Sequence, residues 1–389
     1  MRLIYLCRCY NRPSSVNKKI SAQLDHLTDH GIDSIAYSIC ADDEGQSDKD
    51  DIKFIRIPGI EHPGGIIGKI KREYRVTQAL KHLISSLDDR DVIYSRMLYP
   101  SLPLSMILRQ PRACKIVIEY QTIEPLEFRL IGQYWYLAID FLFGSAIRTY
   151  TDAIIGVTDE ITEYQVRRSG DGRKFHITIG NGFDVFSAPV RQLPRYPEND
   201  IHLLSIASVS RWHGLDRLLH GLAIHRGPPG IVLHIAGGGP ELPRLQRLAG
   251  ELGIGDRVIF HGFTTGKALD ALFDQCHIAV GTLGIHRKGL TQTSELKARE
   301  YAARGIPYII AVSDPDFPPD FPYILRLPAD ETPVDMDQVI AFAMNVSADP
   351  DHPQRMRRYA EEHLDWSVKM RRLRDFLETL SGENTGGIS

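Results

Sequence analysis

The sequence predicts an α/β protein made of two doubly wound parallel-sheet units. Three observations lead to that expectation. Short runs rich in Ile, Val and Tyr alternate with stretches of helical periodicity from the first residues onward, the pattern of a parallel sheet covered on both faces. A chain of 389 residues is too long for one core of ordinary size. The alternation also breaks once, at SAPVRQLPRYPEND (187–200), which holds three prolines and no apolar periodicity, as a stiff linker would, and then restarts.

In the first half, LIYLC (3–7) reads as the opening strand, followed by RCYNRPSSV and an amphipathic helix from about Asn17 to His30. SIAYSIC (34–40) and KFIRI (53–57) are strands separated by the acidic, solvated loop ADDEGQSDKDD. A long helix enters through Gly64 and Gly65 and carries Lys69, Lys71, Arg72 and Arg75 beside Ile66, Ile67 and Ile70. It has two readings, an ordinary surface helix and a basic amphipathic contact with a membrane surface. DVIYSR (91–96) and KIVIEY (115–120) are buried-type strands, so Arg96, Glu119, Gln121, Thr122 and Glu124 fall at their carboxyl ends, where doubly wound sheets bind ligands. QYWYLAIDFLFGSAIRTY (133–150) is apolar enough to bury or to touch lipid, but too short to span a bilayer and interrupted by Asp140. DAIIGV (152–157) and HITIGNGFD (176–184) close this half.

The second half repeats the scheme with IHLLSIA (201–207), IVLHIAG, VIFHG, HIAVGT and PYIIAV as strands. The helix LDRLLHGLAIHR buries Leu215, Leu218, Leu219 and Leu222 on one stripe. Two open sheets joined by a hinge leave a cleft, a natural place for a small molecule. The expected division is 1–186, a linker at 187–200, 201–365, a closing helix at 366–381 and a disordered tail at 382–389.

Composition excludes several classes. A hydrophobic share of 43% with 24% charged residues is that of a water-soluble globular protein, and a formal charge of -3 argues against nucleic acid as the main partner. Five scattered cysteines suit buried thiols in a reducing, cytoplasmic compartment; Cys7 and Cys9 form a lone C-x-C pair, so no metal is expected.

Three motifs carry chemistry. Gly237, Gly238 and Gly239 follow a strand and precede Pro240, a turn that lets backbone approach a ligand at a positive helix end. GGGP is not G-x-G-x-x-G, which argues against a nicotinamide dehydrogenase. In SVSRWHGLDRLL (208–219), Arg211 lies between a strand and a helix, where it can clamp a diphosphate, and His213 and Gly214 continue the turn. SELKAREYAARGIP (294–307) is a short helix stopped by Gly305 and Pro307. Its Lys297, Glu300 and Arg304 fit both a solvated ion-pair ladder and a ligand site.

In the order ASVSRWHGLDRLL, LHIAGGGPEL, RVIFHGF, HIAVGTLGIHRKGL and SELKAREYAARGIP, with NGFD before them and DWSVKMRRLRDFLE after, the chain resembles the retaining nucleotide-sugar glycosyltransferases of family 4, also called group 1. That resemblance implies the GT-B fold, two facing Rossmann-like domains with a C-terminal helix crossing back to the first. It implies that Glu300 accepts from the donor ribose, that Arg211 holds the diphosphate, and that Gly238, Gly239, His261, Gly262, Ser294 and Leu296 surround the donor. His213 stands where the family usually has lysine, with Lys297 a substitute cation. Gln292 stands where the first acid of the E-x7-E pattern would be, with Glu295 an alternative for the donor sugar.

No metal or other cofactor is implied; the substrate is a UDP- or GDP-type sugar. Ser14, Ser15, Arg96, Glu119, Gln121, Glu124 and Asn181 are the acceptor-side candidates. The expected activity is sugar transfer to a glycan or polyprenyl-linked acceptor in bacterial surface-polysaccharide assembly, in the cytoplasm and in peripheral contact with the plasma membrane. A nucleotide-sugar epimerase of the same fold and a non-catalytic nucleotide-sugar-binding partner of other transferases are the alternatives.

Overall fold

A computed structural model describes residues 1–8, 15–40, 52–56, 65–96, 98, 100–194 and 200–382. Ser14, the acidic loop and the expected tail from residue 383 lie outside the described residues. The chain divides into two compact units, 1–180 with 366–389, and 181–365. The division falls after Gly180, ahead of the proline-rich segment.

In the first unit, β1 (Arg2–Arg8), β2 (Asp33–Cys40), β3 (Ile52–Arg56), β4 (Asp91–Ser95), β5 (Lys115–Tyr120), β6 (Ala153–Gly156) and β7 (Phe175–Thr178) form one sheet in the order β3-β2-β1-β4-β5-β6-β7. Every pairing is parallel. Central strands read as continuous apolar runs because both faces are covered; Leu3, Ile4, Val92, Ile93, Val117 and Ile118 are all buried. The closing helix, Trp366–Ser381, belongs to this unit and sets Phe376 against Phe175 of β7, ring centroids 4.7 Å apart.

The segment 133–150 is neither wholly buried nor a single α-helix. Helix Tyr134–Ile139 passes through a π-helical turn, Asp140–Gly144, into helix Ser145–Tyr150. Its inner side buries Ile147 and the Arg148–Asp140 ion pair (3.0 Å), while Tyr134, Trp135, Phe141 and Leu142 stay exposed.

The second unit carries β8 (Asp200–Ile206), β9 (Gly230–Ala236), β10 (Val258–Gly262), β11 (Ile278–Val280), β12 (Tyr308–Ile310) and β13 (Ile324–Arg326), in the order β10-β9-β8-β11-β12-β13. The pairings are again all parallel. Helix Leu215–Ile224 buries Leu215, Leu218, Leu219 and Leu222 completely against this sheet, each contributing roughly 1.5–3 kcal/mol.

Residues 187–194 were expected to be linker, and here they are part of this unit. Arg191 is buried and donates to the carbonyls of Gly305 (3.0 Å) and Cys276 (2.5 Å) and to His352 Nε2 (2.9 Å). Prolines without local periodicity signal an irregular backbone, and irregular backbone can pack as well as bridge.

A row of histidines crosses the same sheet. His202 Nδ1 and His234 Nε2 are 2.8 Å apart, His234 Nδ1 and His261 Nε2 are 2.9 Å apart, and the His202 N–H donates to His277 Nδ1 at 3.0 Å. Burial, and then the neighbouring rings, push His234 down to about 4; burial, with His202 and Arg191, does the same to His277. In the unfolded chain these rings titrate near 6.5. Between about pH 6.5 and 4 the unfolded state therefore binds more protons, and stability falls as pH drops through that window. Urea unfolding is expected to show a lower midpoint at pH 5 than at pH 7, with the difference reduced in His234→Gln.

Candidate functional site

Strand order reverses direction between β8 and β11, the usual ligand position in such sheets, and the loops leaving their carboxyl ends come together there. The loop after β8 carries Arg211, Trp212 and His213 in one 3-10 turn, ended by Gly214 at φ 65°. A Cβ on Gly214 would lie 2.7 Å from the backbone of Leu283 and Gly284, so only glycine lets the two loops meet. They are joined by Leu283 N–H to His213 O (3.0 Å), Gly284 N–H to Trp212 O (3.1 Å) and Arg287 to Arg211 O (2.7 Å).

Arg211 itself is exposed at the rim. Inward of it, the Ser210 N–H donates to His213 Nδ1 at 2.9 Å, so the neutral ring carries its proton on Nε2. Burial, then Lys297, and more weakly Lys288, hold His213 well below its ordinary pKa against the opposing effect of the Ser210 bond. His213, at a position where the family usually has lysine, is therefore a neutral hydrogen-bond donor at pH 7. Lys288, which sequence reading passed over, is nearly buried, with its amine 3.9 Å from the centre of the Trp212 ring.

The glycine turn plays a more structural part than expected. Gly239, at φ 132°, is pressed against Val209, where a Cβ would come within 2.4 Å of backbone atoms. Gly238 has open space where a Cβ would project, and its carbonyl accepts from Val209 N–H at 2.6 Å. The following helix begins at Leu242. His261, at the end of β10, spends Nε2 on His234, and Gly262 turns the chain at φ 67°.

Helix Leu296–Arg304 lies between β11 and β12 in sequence, and its entry is held by a residue the sequence reading missed. Arg299 is wholly buried; it donates to both Asp314 carboxylate oxygens and to Asp316, to Asn181 O (2.9 Å) and to Glu295 O (3.3 Å). Its signal was D-x-D at 314–316, unremarkable until folding brings it to the helix. Asn181 belongs to this second unit rather than to the acceptor side. Its N–H donates to Ser294 Oγ at 2.7 Å and its Nδ2 to Ser294 O at 2.5 Å. Ser294 is thereby committed to the scaffold.

The same helix projects Glu295, Lys297 and Glu300. Glu300 Oε1 accepts from Arg304 Nε at 2.9 Å, and Arg304 Nη1 donates to Asp270 at 2.7 Å. Arg304 is not a solvated member of a ladder. It is buried over the Phe273 ring and positions Glu300. Lys297 Nζ and Glu295 Oε2 are 3.6 Å apart, each side chain nine-tenths buried. Gln292 forms a parallel bridge with Ser313, and Leu296 opens the helix, half-buried.

The acceptor-side candidates form two separate networks in the first unit. Glu119, at the end of β5, is buried and accepts from Lys19 (2.6 Å), Gln23 (3.3 Å), Tyr94 and Gln121, with Arg96 3.8 Å away. Burial alone would raise its pKa, but Lys19 and Arg96 outweigh it and the net shift is downward. It is a firmly ionised hub rather than a poised base. Burial, partly offset by Glu119, brings Lys19 down to about 8. Glu124 is buried against Arg148 (3.2 Å) and Gln165 (2.9 Å), and burial raises its pKa. Ser15 opens helix Ser15–Asp29.

Residues 190–291 match the family model described as glycosyl transferases group 1. No curated protein sequence matches the chain. Similar solved structures include the lipopolysaccharide outer core galactosyltransferase WaaB in its apo form (15% identity, 97% of this chain and 99% of that one, TM-score 0.69). Sucrose-phosphate synthase from Thermosynechococcus elongatus is similar at 16% identity over 99% of this chain and all of that one, with TM-score 0.71. Anabaena HepE in complex with UDP-glucose is similar at 14% identity over 97% and 100%, with TM-score 0.64. The second unit carries the group 1 glycosyl transferase pattern, and the chain has the GT-B fold.

Two outcomes are expected of this geometry. Arg299→Met leaves the buried carboxylate of Asp314 and the partly buried one of Asp316 without their cation and costs about 3–5 kcal/mol, read as a lowered urea midpoint. Because His213 is neutral, nucleotide affinity measured by calorimetry should vary little between pH 7 and 8, and His213→Gln, which keeps a donor, should share that flat profile.

Proposed function

We propose that this chain is a retaining glycosyltransferase. It moves a sugar from a UDP- or GDP-sugar to a glycan or polyprenyl-linked acceptor in the assembly of a surface polysaccharide. The observation that carries this reading is the placement of Arg211 and His213 in one turn after β8, where strand order reverses, with Lys297 close enough to bear on His213 and Glu300 one turn further along the same helix, in the unit of which residues 190–291 match glycosyl transferases group 1. The description of the HepE structure as bound to UDP-glucose supports a nucleotide-sugar donor.

In this reading Glu300, oriented by Arg304, accepts the ribose hydroxyls. Arg211, Lys297 and the Nε2–H of His213 meet the diphosphate. Charge accumulates on that leaving group as the anomeric bond breaks, and donors already aimed at it lower the barrier without reorganising. The cations of the chain itself, rather than a metal, do this work. The acceptor is assigned to the first unit, near Arg96, Gln121 and Glu124. The exposed Tyr134, Trp135, Phe141 and Leu142 suit peripheral contact with the cytoplasmic membrane face, the rings of Tyr134 and Trp135 at headgroup depth.

The test is a panel of UDP-, GDP- and ADP-sugars with purified protein. At least one donor is expected to raise Tm and to be turned over. Arg211→Ala should then lower kcat by about a hundredfold, as loss of one transition-state donor does. Glu300→Ala should raise the donor KM by about tenfold or more, as loss of a hydrogen bond to a charged group does. A panel in which no donor shifts Tm would sink the proposal.

A further inference from the structure

Buried ionised groups in folded proteins are almost always hydrogen-bonded, since each unpaired polar group costs roughly 1–3 kcal/mol and more when charged. Glu295 and Lys297 depart from that rule together. Among the described residues, both oxygens of Glu295 and the amine of Lys297 are buried without a hydrogen-bond partner, and the two groups lie 3.6 Å apart, too far for a bond between them. Their neighbours do not satisfy them either. The Glu295 backbone carbonyl is taken by Arg299, and Glu295 is the N-cap residue of its helix without using its side chain as a cap.

A single ligand that brings an anion to the amine and hydroxyl donors to the carboxylate would satisfy both at once, and a sugar diphosphate has those two groups side by side. Resting on the transferase reading, we infer that Glu295 recognises the donor's sugar, Lys297 its diphosphate, and that the pair makes the site select neutral sugars and reject uronic acids. The amine is close enough to His213 to bear on its charge and lies 3.6 Å from the carboxylate, so a diphosphate held by the amine would bring its sugar to the carboxylate. A carboxylate offers acceptors only, so it is complementary to hydroxyls. A uronate would bring a second carboxylate into the same poorly solvated space, and like-charge juxtaposition at a buried contact is a strong means of exclusion. Gln292, at the position where the family pattern has an acid, is neutral, which leaves this role to Glu295.

The experiment is calorimetric titration of the full chain with UDP, UDP-glucose and UDP-glucuronate, and with GDP, GDP-mannose and GDP-mannuronate. The wild type is expected to bind the neutral sugar of its preferred nucleotide about tenfold or more tightly than the matching uronate. Glu295→Gln should compress that ratio to about threefold or less while leaving affinity for the free nucleotide unchanged or tighter. Lys297→Met should weaken the free nucleotide and both sugars by about tenfold. Since removing one member of a buried pair can unfold a protein, the neutral double variant Glu295→Gln, Lys297→Gln is measured alongside; it should also lose the neutral-over-uronate preference. An unchanged ratio in Glu295→Gln, or unchanged nucleotide affinity in Lys297→Met, overturns the inference and leaves the transferase reading standing. Absence of binding by every nucleotide and nucleotide sugar to the wild type overturns both.

Discussion

The guanidinium of Arg299 is the constraint on which the second unit's site depends. A charge with no exposure to solvent persists only if its donors are all matched, and its partners come from three separate stretches: the chain entry at Asn181, the helix start at Glu295, and the loop after β12 at Asp314 and Asp316. Because guanidinium geometry is rigid and planar, satisfying it aligns those stretches to within hydrogen-bond tolerance. Glu295, Lys297 and Glu300 are then carried on a helix whose entry angle is no longer free. Arg304 repeats the device one turn later, joining Glu300 to Asp270.

Around this scaffold cationic and carboxylate side chains lie side by side, several of them largely withdrawn from water. Arg211 stands exposed at the rim, while Lys288 and Lys297 are sunk beside His213. Adding a third buried cation there would be costly, and burial with the two lysines keeps the histidine neutral. It contributes a directed N–H in place of the positive charge lysine would carry. Within the first unit the logic differs: the carboxylate of Glu119 is saturated by Lys19, Tyr94, Gln23 and Gln121, which fixes the carboxyl ends of β4 and β5 and the first helix relative to one another.

Much of this was legible along the chain. The leucine stripe from Leu215 to Leu222 is a local, periodic signal, and each of those residues is buried as its spacing demands. The sheet strands were readable because a parallel strand covered on both faces is an unbroken apolar run. Less legible were residues whose role depends on a distant partner. Arg304 looked solvated because ion-pair spacing says nothing of Phe273 and Asp270 beneath it. Arg191 looked like linker because prolines mask the fact that Gly305, Cys276 and His352 converge on it from elsewhere. Asn181 looked like an acceptor-side residue because nothing in NGFD reveals Ser294.

The sequence by itself determined the α/β class, the duplicated alternation and the motif residues Arg211, His213 and Glu300, since periodicity, turn chemistry and motif order are properties of neighbouring positions. Only the tertiary structure decided that His213 is neutral, that Arg299 anchors the helix and that Glu295 and Lys297 are buried without hydrogen-bond partners among the described residues. Protonation and satisfaction of a buried group depend on which distant atoms replace water around it, and that is set by packing between residues that can be more than a hundred positions apart.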